Sequence, residues 1–178
     1  MRCSSLVLNH ENDDQIALRR WITSGLQIPE VRRLHGDSGY LFSNMIAKYT
    51  LAASKYRISS LALSWFHDNK VDLSLEYSRS RFYGKNSPLM YEHSIPASVI
   101  RSILLDANSS EEIVQDILCQ SGFVVVIMRF EDEALSSHGL ARKMPESWLF
   151  GDNPFARYEM AGIELSNEFL KVKGKIQR

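Results

Sequence analysis

Residues 123–128, with the sequence Phe-Val-Val-Val-Ile-Met, form a continuous apolar run that is rich in β-branched side chains. A run of this kind is typical of a strand buried on both faces, so it predicts the central strand of a sheet. Upstream, Ser109 and Glu112 have the spacing of a helix capping box and Gly122 favours a helix end, which predicts a helix over residues 110–121. The acidic residues after the strand predict another helix, because negative charge stabilises a helix N-terminus.

Helical and strand-like periods alternate through the rest of the chain. Apolar residues recur at helical spacing over residues 40–56, whereas apolar and polar residues alternate over 71–77. These patterns predict an α+β fold with a small antiparallel sheet packed against several helices. The predicted strands lie within about 71–83, 88–93 and 123–129, and the predicted covering helices include 40–56 and 110–121.

Length and composition predict one folded domain. The chain has 178 residues, of which 44% are hydrophobic and 24% are charged, which is ordinary for a globular protein that buries a core. We expect a mainly helical part over residues 1–66 and a sheet-containing part over 67–165. Residues 166–178 are expected to form a basic tail.

The charge balance requires any nucleic-acid site to be local. Lysine plus arginine and aspartate plus glutamate each total 21, so the formal net charge is zero. A nucleic-acid-binding protein usually carries excess positive charge. The candidate basic patch consists of Arg79, Arg81 and Lys85, interleaved with Phe82 and Tyr83. These side chains are either phosphate contacts or an ordinary solvated strand end.

The cysteines and the apolar segments exclude several classes of protein. The two cysteines, Cys3 and Cys119, are far apart in sequence, which excludes a four-cysteine zinc site and argues against a disulfide framework. No apolar run approaches the roughly 20 residues of a membrane span. The N-terminal residues do not have the pattern of a signal peptide, so we expect a cytoplasmic protein.

A short motif, Tyr91-Glu92-His93-Ser94-Ile95-Pro96, carries the most specific chemistry. It joins a carboxylate, an imidazole that titrates near neutral pH and a proline that stops a strand. The order [Asp/Glu]-His-x-x-Pro resembles the first motif of the HNH (ββα-metal) nucleases. The resemblance implies that a ββα-metal-like unit is embedded in the fold, with residues 123–128 as its second strand.

The resemblance also implies site residues and a cofactor. His93 would be the general base that deprotonates water, and Glu92 would be a ligand of Mg²⁺ or another divalent cation. The helix after the second strand would supply a further ligand, for which Asp132 is the nominal choice among Glu131, Asp132, Glu133 and His138. The implied function is a metal-dependent endonuclease that binds nucleic acid, and DNA and RNA are both open as substrates.

Two alternatives remain open at this point. In the first, Glu92 and His93 are a structural pair, and Pro96 only starts a helix. Arg157 could bind phosphate, but an arginine in this position more often pairs with a neighbouring carboxylate. The protein would then be a non-catalytic binding protein with a degenerate HNH-like fold, an immunity or anti-defence factor that docks a protein partner. A second carboxylate or imidazole within metal-bridging distance of His93 would favour the enzyme.

Overall fold

The structure, a computed structural model, describes residues 11–37 and 39–173. The helices in these ranges are α1 (Asp13–Gln27), α2 (Pro29–Asp37), α3 (Gly39–Leu51), α4 (Ser60–Asp68), α5 (Ala97–Asp106), α6 (Glu111–Ser121), α7 (Arg129–Ser137) and α8 (Ala156–Met160). The strands are β1 (Lys55–Ser59), β2 (Glu76–Tyr77), β3 (Leu89–His93), β4 (Val124–Met128) and β5 (Leu165–Val172). Cys3, His10 and the last five residues lie outside the described ranges.

The strands form a single mixed sheet in the order β2-β5-β1-β4-β3. The α+β class is confirmed. The pairing of β3 with β4 is antiparallel as expected. The pairing of β1 with β5, two strands that were not predicted, is also antiparallel, whereas β1 with β4 and β2 with β5 are parallel. Strands β1 and β4 can pair in parallel because three helices, β2 and β3 separate them in sequence, and this connection is long enough for a crossover.

The predicted central strand is confirmed as β4. It lies between β1 and β3, and Val124, Val125, Val126 and Ile127 are all buried. The helix before it, α6, is also confirmed, although Ser110 rather than Ser109 caps it. The Ser110 side chain accepts a hydrogen bond from the backbone amide of Ile113.

Two predicted elements have different bounds. The helical stripe predicted over 40–56 ends at Leu51, and β1 takes up the chain from Lys55, because Tyr56 and Ile58 gain full burial within the sheet. The predicted strand over 71–83 shrinks to β2. Upstream of β2, the carboxylate of Asp72 accepts a hydrogen bond from the backbone amide of Ser74, and this local turn replaces strand pairing.

The prediction of a basic tail over 166–178 is wrong for its first part. Residues 165–172 form β5, which pairs with β1 and β2 and buries Leu170 and Val172. The error arises because buried and polar residues alternate along β5, so the segment lacks a continuous apolar run. Lys171, for example, lies between the buried Leu170 and Val172 and donates to the carbonyl oxygen of Ser74. The predicted tail residues 174–178 lie outside the described residues.

Three apolar clusters place the sheet between helical layers. Helices α1, α3, α5 and α6 pack around one cluster that includes Phe42 and Ile46. One face of the sheet, which carries Val124 and Val126, packs against α4. The opposite face, which carries Val125 and Ile127, packs against α7 and α8. The two faces are therefore separate chemical environments.

Candidate functional site: the two faces of strand β3

Glu92 and His93 lie on opposite faces of the sheet. In the antiparallel pairing of β3 with β4, Glu92 is opposite Val125 and His93 is opposite Val124. Val125 belongs to the α7–α8 face and Val124 to the α4 face. Because residues directly opposite in an antiparallel pair share a face, the carboxylate and the imidazole of the motif point away from each other.

On the α7–α8 face, Glu92 pairs with Arg157. Nη2 of Arg157 is 3.1 Å from Oε2 of Glu92, and the Arg157 side chain is only 1% exposed. The same guanidinium donates to the carbonyl oxygens of His93, Ser94, Leu140 and Ala141. Arg157 therefore joins the end of β3 to the loop after α7. It pairs with a carboxylate, as the structural alternative expected, and its guanidinium is occupied by protein acceptors.

Asp132 lies on this same face, close enough to Glu92 to act on it electrostatically. Burial raises the pKa of the Glu92 carboxyl, Arg157 opposes that shift, and the charge of Asp132 adds to it. The Tyr158 hydroxyl donates to the carbonyl oxygen of His93 at 3.0 Å, and burial raises its pKa as well. Arg157 and Tyr158 therefore both hold the backbone at His93 from the α7–α8 face of the sheet.

Two strands and a helix lie at the positions that the resemblance implies, although α5 and α6 are inserted between the strands. Strands β3 and β4 are antiparallel, and α7 begins directly after β4. Of the acidic residues at the start of α7, Glu131 is buried and has a structural role. Its carboxylate accepts from the Ser59 hydroxyl and from the backbone amide of Met128, each at 2.7 Å. It is thus committed to holding α7 and α4 on the sheet.

The arrangement does not fit the divalent metal that the HNH resemblance implies. The predicted ligands Glu92 and Asp132 share a face, but the imidazole of His93 points to the other face. Residues 11–37 and 39–173 contain no group of three or more histidine, cysteine, aspartate or glutamate side chains that could hold a metal ion. Arg157 also supplies the positive charge that a cation would otherwise bring to Glu92.

The imidazole of His93 faces a cleft of about 770 Å³ between α1, α3, β3 and the short 3₁₀ helix over residues 79–81. This volume is in the range of small-ligand sites. We call it the His93 cleft. Its charged and aromatic lining consists of Asp14, Lys48, Arg79, Tyr83, Tyr91 and His93. Among the residues that the structure describes, the lining carries two cations and one carboxylate, so its balance is positive although the chain is neutral.

Several polar atoms in this cleft are buried without a hydrogen bond. Among the described residues, no partner exists for Nε and Nη2 of Arg79, Oη of Tyr91 or Nδ1 of His93. A buried polar group that lacks a partner costs about 1–3 kcal/mol, and most such groups in native proteins are satisfied. Three residues with this deficit line one cleft, which makes the cleft the candidate binding site.

A neutral histidine that can act as a base lines the His93 cleft together with the cation Arg79. Burial lowers the pKa of His93 to about 4, with a further contribution from the positive charge of Arg157, so the imidazole is neutral at pH 7. Arg79 lies beside Tyr56. Burial raises the pKa of the Tyr56 hydroxyl to about 12, and the guanidinium opposes that shift. A perturbed histidine in a cleft is a recurrent mark of a functional site.

The predicted basic patch divides between cleft and surface. Arg79 lines the His93 cleft, whereas Arg81 and Lys85 are exposed and do not line it. Sequence reasoning did not single out Tyr91 or Lys48 as site residues. For Tyr91 the signal was its two-residue spacing from His93 on a strand, and for Lys48 it was a position at the edge of the apolar stripe of α3.

Comparison with known protein families, with characterised proteins and with solved structures gives no match for this chain. In the described part of the chain, none of the helices has the length and apolar character needed to cross a membrane.

Proposed function

We propose that the protein binds nucleic acid by its phosphate backbone in the His93 cleft and cleaves phosphodiester bonds there, with His93 as the general base. The observation that carries the proposal is the group of unsatisfied polar atoms on Arg79, Tyr91 and His93 in one cleft of ligand size.

Arg79 has the donor geometry for a phosphate group. Its Nε and Nη2 atoms are buried and make no hydrogen bond among the described residues, while the guanidinium lies beside the Tyr56 hydroxyl; these two nitrogens carry parallel N–H bonds on one edge of the guanidinium. Such an edge binds two oxygens of a phosphate at once, which a lysine cannot do. Lys48, at the exposed side of the cleft, adds a second positive charge for the next phosphate along a chain.

His93 has the properties of a general base. Its imidazole is neutral at pH 7, and Nδ1 is free to take up a proton if the ring carries its hydrogen on the other nitrogen. Its position is fixed because Arg157 and Tyr158 both hold its carbonyl oxygen. A rigidly held neutral imidazole near a bound phosphate can deprotonate an attacking hydroxyl.

Arg79→Gln is expected to weaken the binding of single-stranded oligonucleotides by about 10- to 100-fold, because hydrogen bonds to charged groups contribute roughly 1.5–3 kcal/mol. The loss should be similar for all sequences, and the slope of affinity against salt should fall by about one. The measurement is fluorescence anisotropy across a salt series. Arg81→Gln is the matched control, because it removes an exposed arginine two residues away that does not line the cleft. Equal losses for the two variants would contradict a cleft-specific phosphate site.

A second candidate function is the non-catalytic binding protein that acts through a protein partner. Large apolar side chains at Ile28, Leu34, Tyr40 and Leu41 are between 48% and 80% exposed. Exposed apolar side chains mark protein interaction sites where they form a contiguous patch. This candidate replaces the first if the purified protein neither binds nor cleaves nucleic acid.

A further inference from the structure

We propose that cleavage in the His93 cleft, which rests on the function proposed above, is a metal-independent transesterification of single-stranded RNA in which the ribose 2′-hydroxyl is the nucleophile. The motif and the structure disagree about a metal ion. The motif implies a divalent metal, yet the strand directs the two motif side chains to opposite faces.

The His93 cleft offers a cation too few ligands. Hard divalent cations take about six oxygen ligands, of which proteins supply several as carboxylates. Within residues 11–37 and 39–173, the acidic lining of the cleft is Asp14 alone, and the cations Lys48 and Arg79 line the same space. Across the β-sheet, Glu92 is bound to Arg157. The cleft is therefore built to attract an anion rather than a metal ion.

Without a metal, water is a weak nucleophile at neutral pH, so a nucleophile that the substrate supplies has an advantage. Metal-bound water acts as a nucleophile at neutral pH because the metal lowers its pKa, and the His93 cleft has no equivalent means. The 2′-hydroxyl of RNA is attached next to the phosphorus that it attacks, so it has the high effective concentration of an intramolecular reaction. DNA lacks this group, which makes it a ligand but not a substrate.

The bond changes balance without a further reactant. His93 takes the proton from the 2′-hydroxyl as the 2′-oxygen forms a bond to phosphorus. The bond from phosphorus to the 5′-oxygen breaks, and the leaving 5′-oxygen takes a proton from solvent water at the open side of the cleft. Arg79 donates to the phosphoryl oxygens as negative charge builds on them. The products are a 2′,3′-cyclic phosphate and a 5′-hydroxyl end, and His93 returns its proton to solvent.

An aromatic pair favours single-stranded RNA. The rings of Tyr83 and Tyr91 stack with centroids 5.5 Å apart and an angle of 27°, and Tyr83 is 59% exposed at the cleft. An exposed tyrosine of this kind is a platform on which an unpaired base can stack. Bases in a duplex are already stacked on their neighbours and do not reach it.

The test uses the full chain and four oligonucleotides of one sequence in excess EDTA. These are RNA, DNA, DNA with one internal ribonucleotide, and the same chimera with a 2′-O-methyl group at that position. We expect cleavage of the RNA, cleavage of the chimera only at its ribonucleotide, and ends that carry a 2′,3′-cyclic phosphate. The His93→Gln protein, purified identically, should be at least about 100-fold slower, which also excludes a contaminating ribonuclease.

The outcomes separate the two proposals. Cleavage of the all-DNA or 2′-O-methyl oligonucleotide, cleavage that EDTA abolishes and Mg²⁺ restores, or products with 5′-phosphate ends would overturn this inference while leaving the His93 cleft a nuclease site. Absence of cleavage of every substrate, with and without Mg²⁺ or Mn²⁺, would overturn both the inference and the proposed catalytic function.

Discussion

Arg157→Ala is expected to lower the free energy of unfolding by about 3–5 kcal/mol, because removal of one partner leaves a buried charge without compensation. The carboxylate of Glu92 would lose its cation. Four main-chain carbonyl oxygens, among them those of Ser94 and Leu140, would lose their donor. Arg157→Lys should recover little, since a single ammonium group cannot reach the same set of acceptors.

Urea unfolding followed by circular dichroism measures this effect. Arg81→Ala is the control, because it removes an exposed arginine at the protein surface and should change the free energy of unfolding by no more than about 0.5 kcal/mol. If Arg157→Ala unfolds at the same urea concentration as the wild type, the guanidinium does not hold the end of β3 as described.

His93→Ala is expected to lower the rate of phosphodiester cleavage by about 10²- to 10⁴-fold, which is the typical contribution of a general base. The fold should persist, because Nδ1 makes no hydrogen bond among the described residues and the imidazole lines an open cleft. The assay compares cleavage by the two proteins on single- and double-stranded DNA and on RNA. If both are equally inert on every substrate, the enzyme is excluded and the binding protein takes its place.

The pH dependence of cleavage follows from the lowered pKa of His93. The base is active when neutral, and burial lowers its pKa from 6.5 to about 4. The rate should therefore rise as the pH passes through about 4 and then change little between about pH 5 and pH 7, where an ordinary histidine would still be gaining activity. A rate that climbs about fivefold between about pH 5.5 and pH 6.5, as for a histidine with an ordinary pKa, would show that the base is not the buried His93.

The sequence predicts best where local pattern and burial agree. The apolar run of β4 and the cap and apolar face of α6 lead to the observed elements because no other conformation buries those side chains as well. Strands β1 and β5 were not predicted. The stripe that ends at Tyr56 has helical spacing as well as strand alternation, and only pairing with β4 and β5 decides between them.

The candidate site was predicted in part. The motif drew attention to β3, and the basic cluster was noted only because it precedes the motif in sequence; Arg79 from that cluster lines one cleft with His93. The structure does not place Glu92 and His93 around one metal ion, because neighbouring residues within a strand point to opposite faces of the sheet. The role of Arg157 depends on a contact across 65 residues of sequence, which no local pattern reveals.

The most direct measurement of the central claim is NMR of the histidine side chains during titration with a short single-stranded RNA. If nucleic acid binds in the His93 cleft, the imidazole resonances of His93 should shift with a saturating dependence on RNA. The resonances of His67 and His138, which are exposed and do not line the cleft, should stay in place. The RNA in this experiment carries 2′-O-methyl groups so that it stays intact. Shifts at His67 or His138 without any shift at His93 would contradict the assignment of the cleft as the nucleic-acid site.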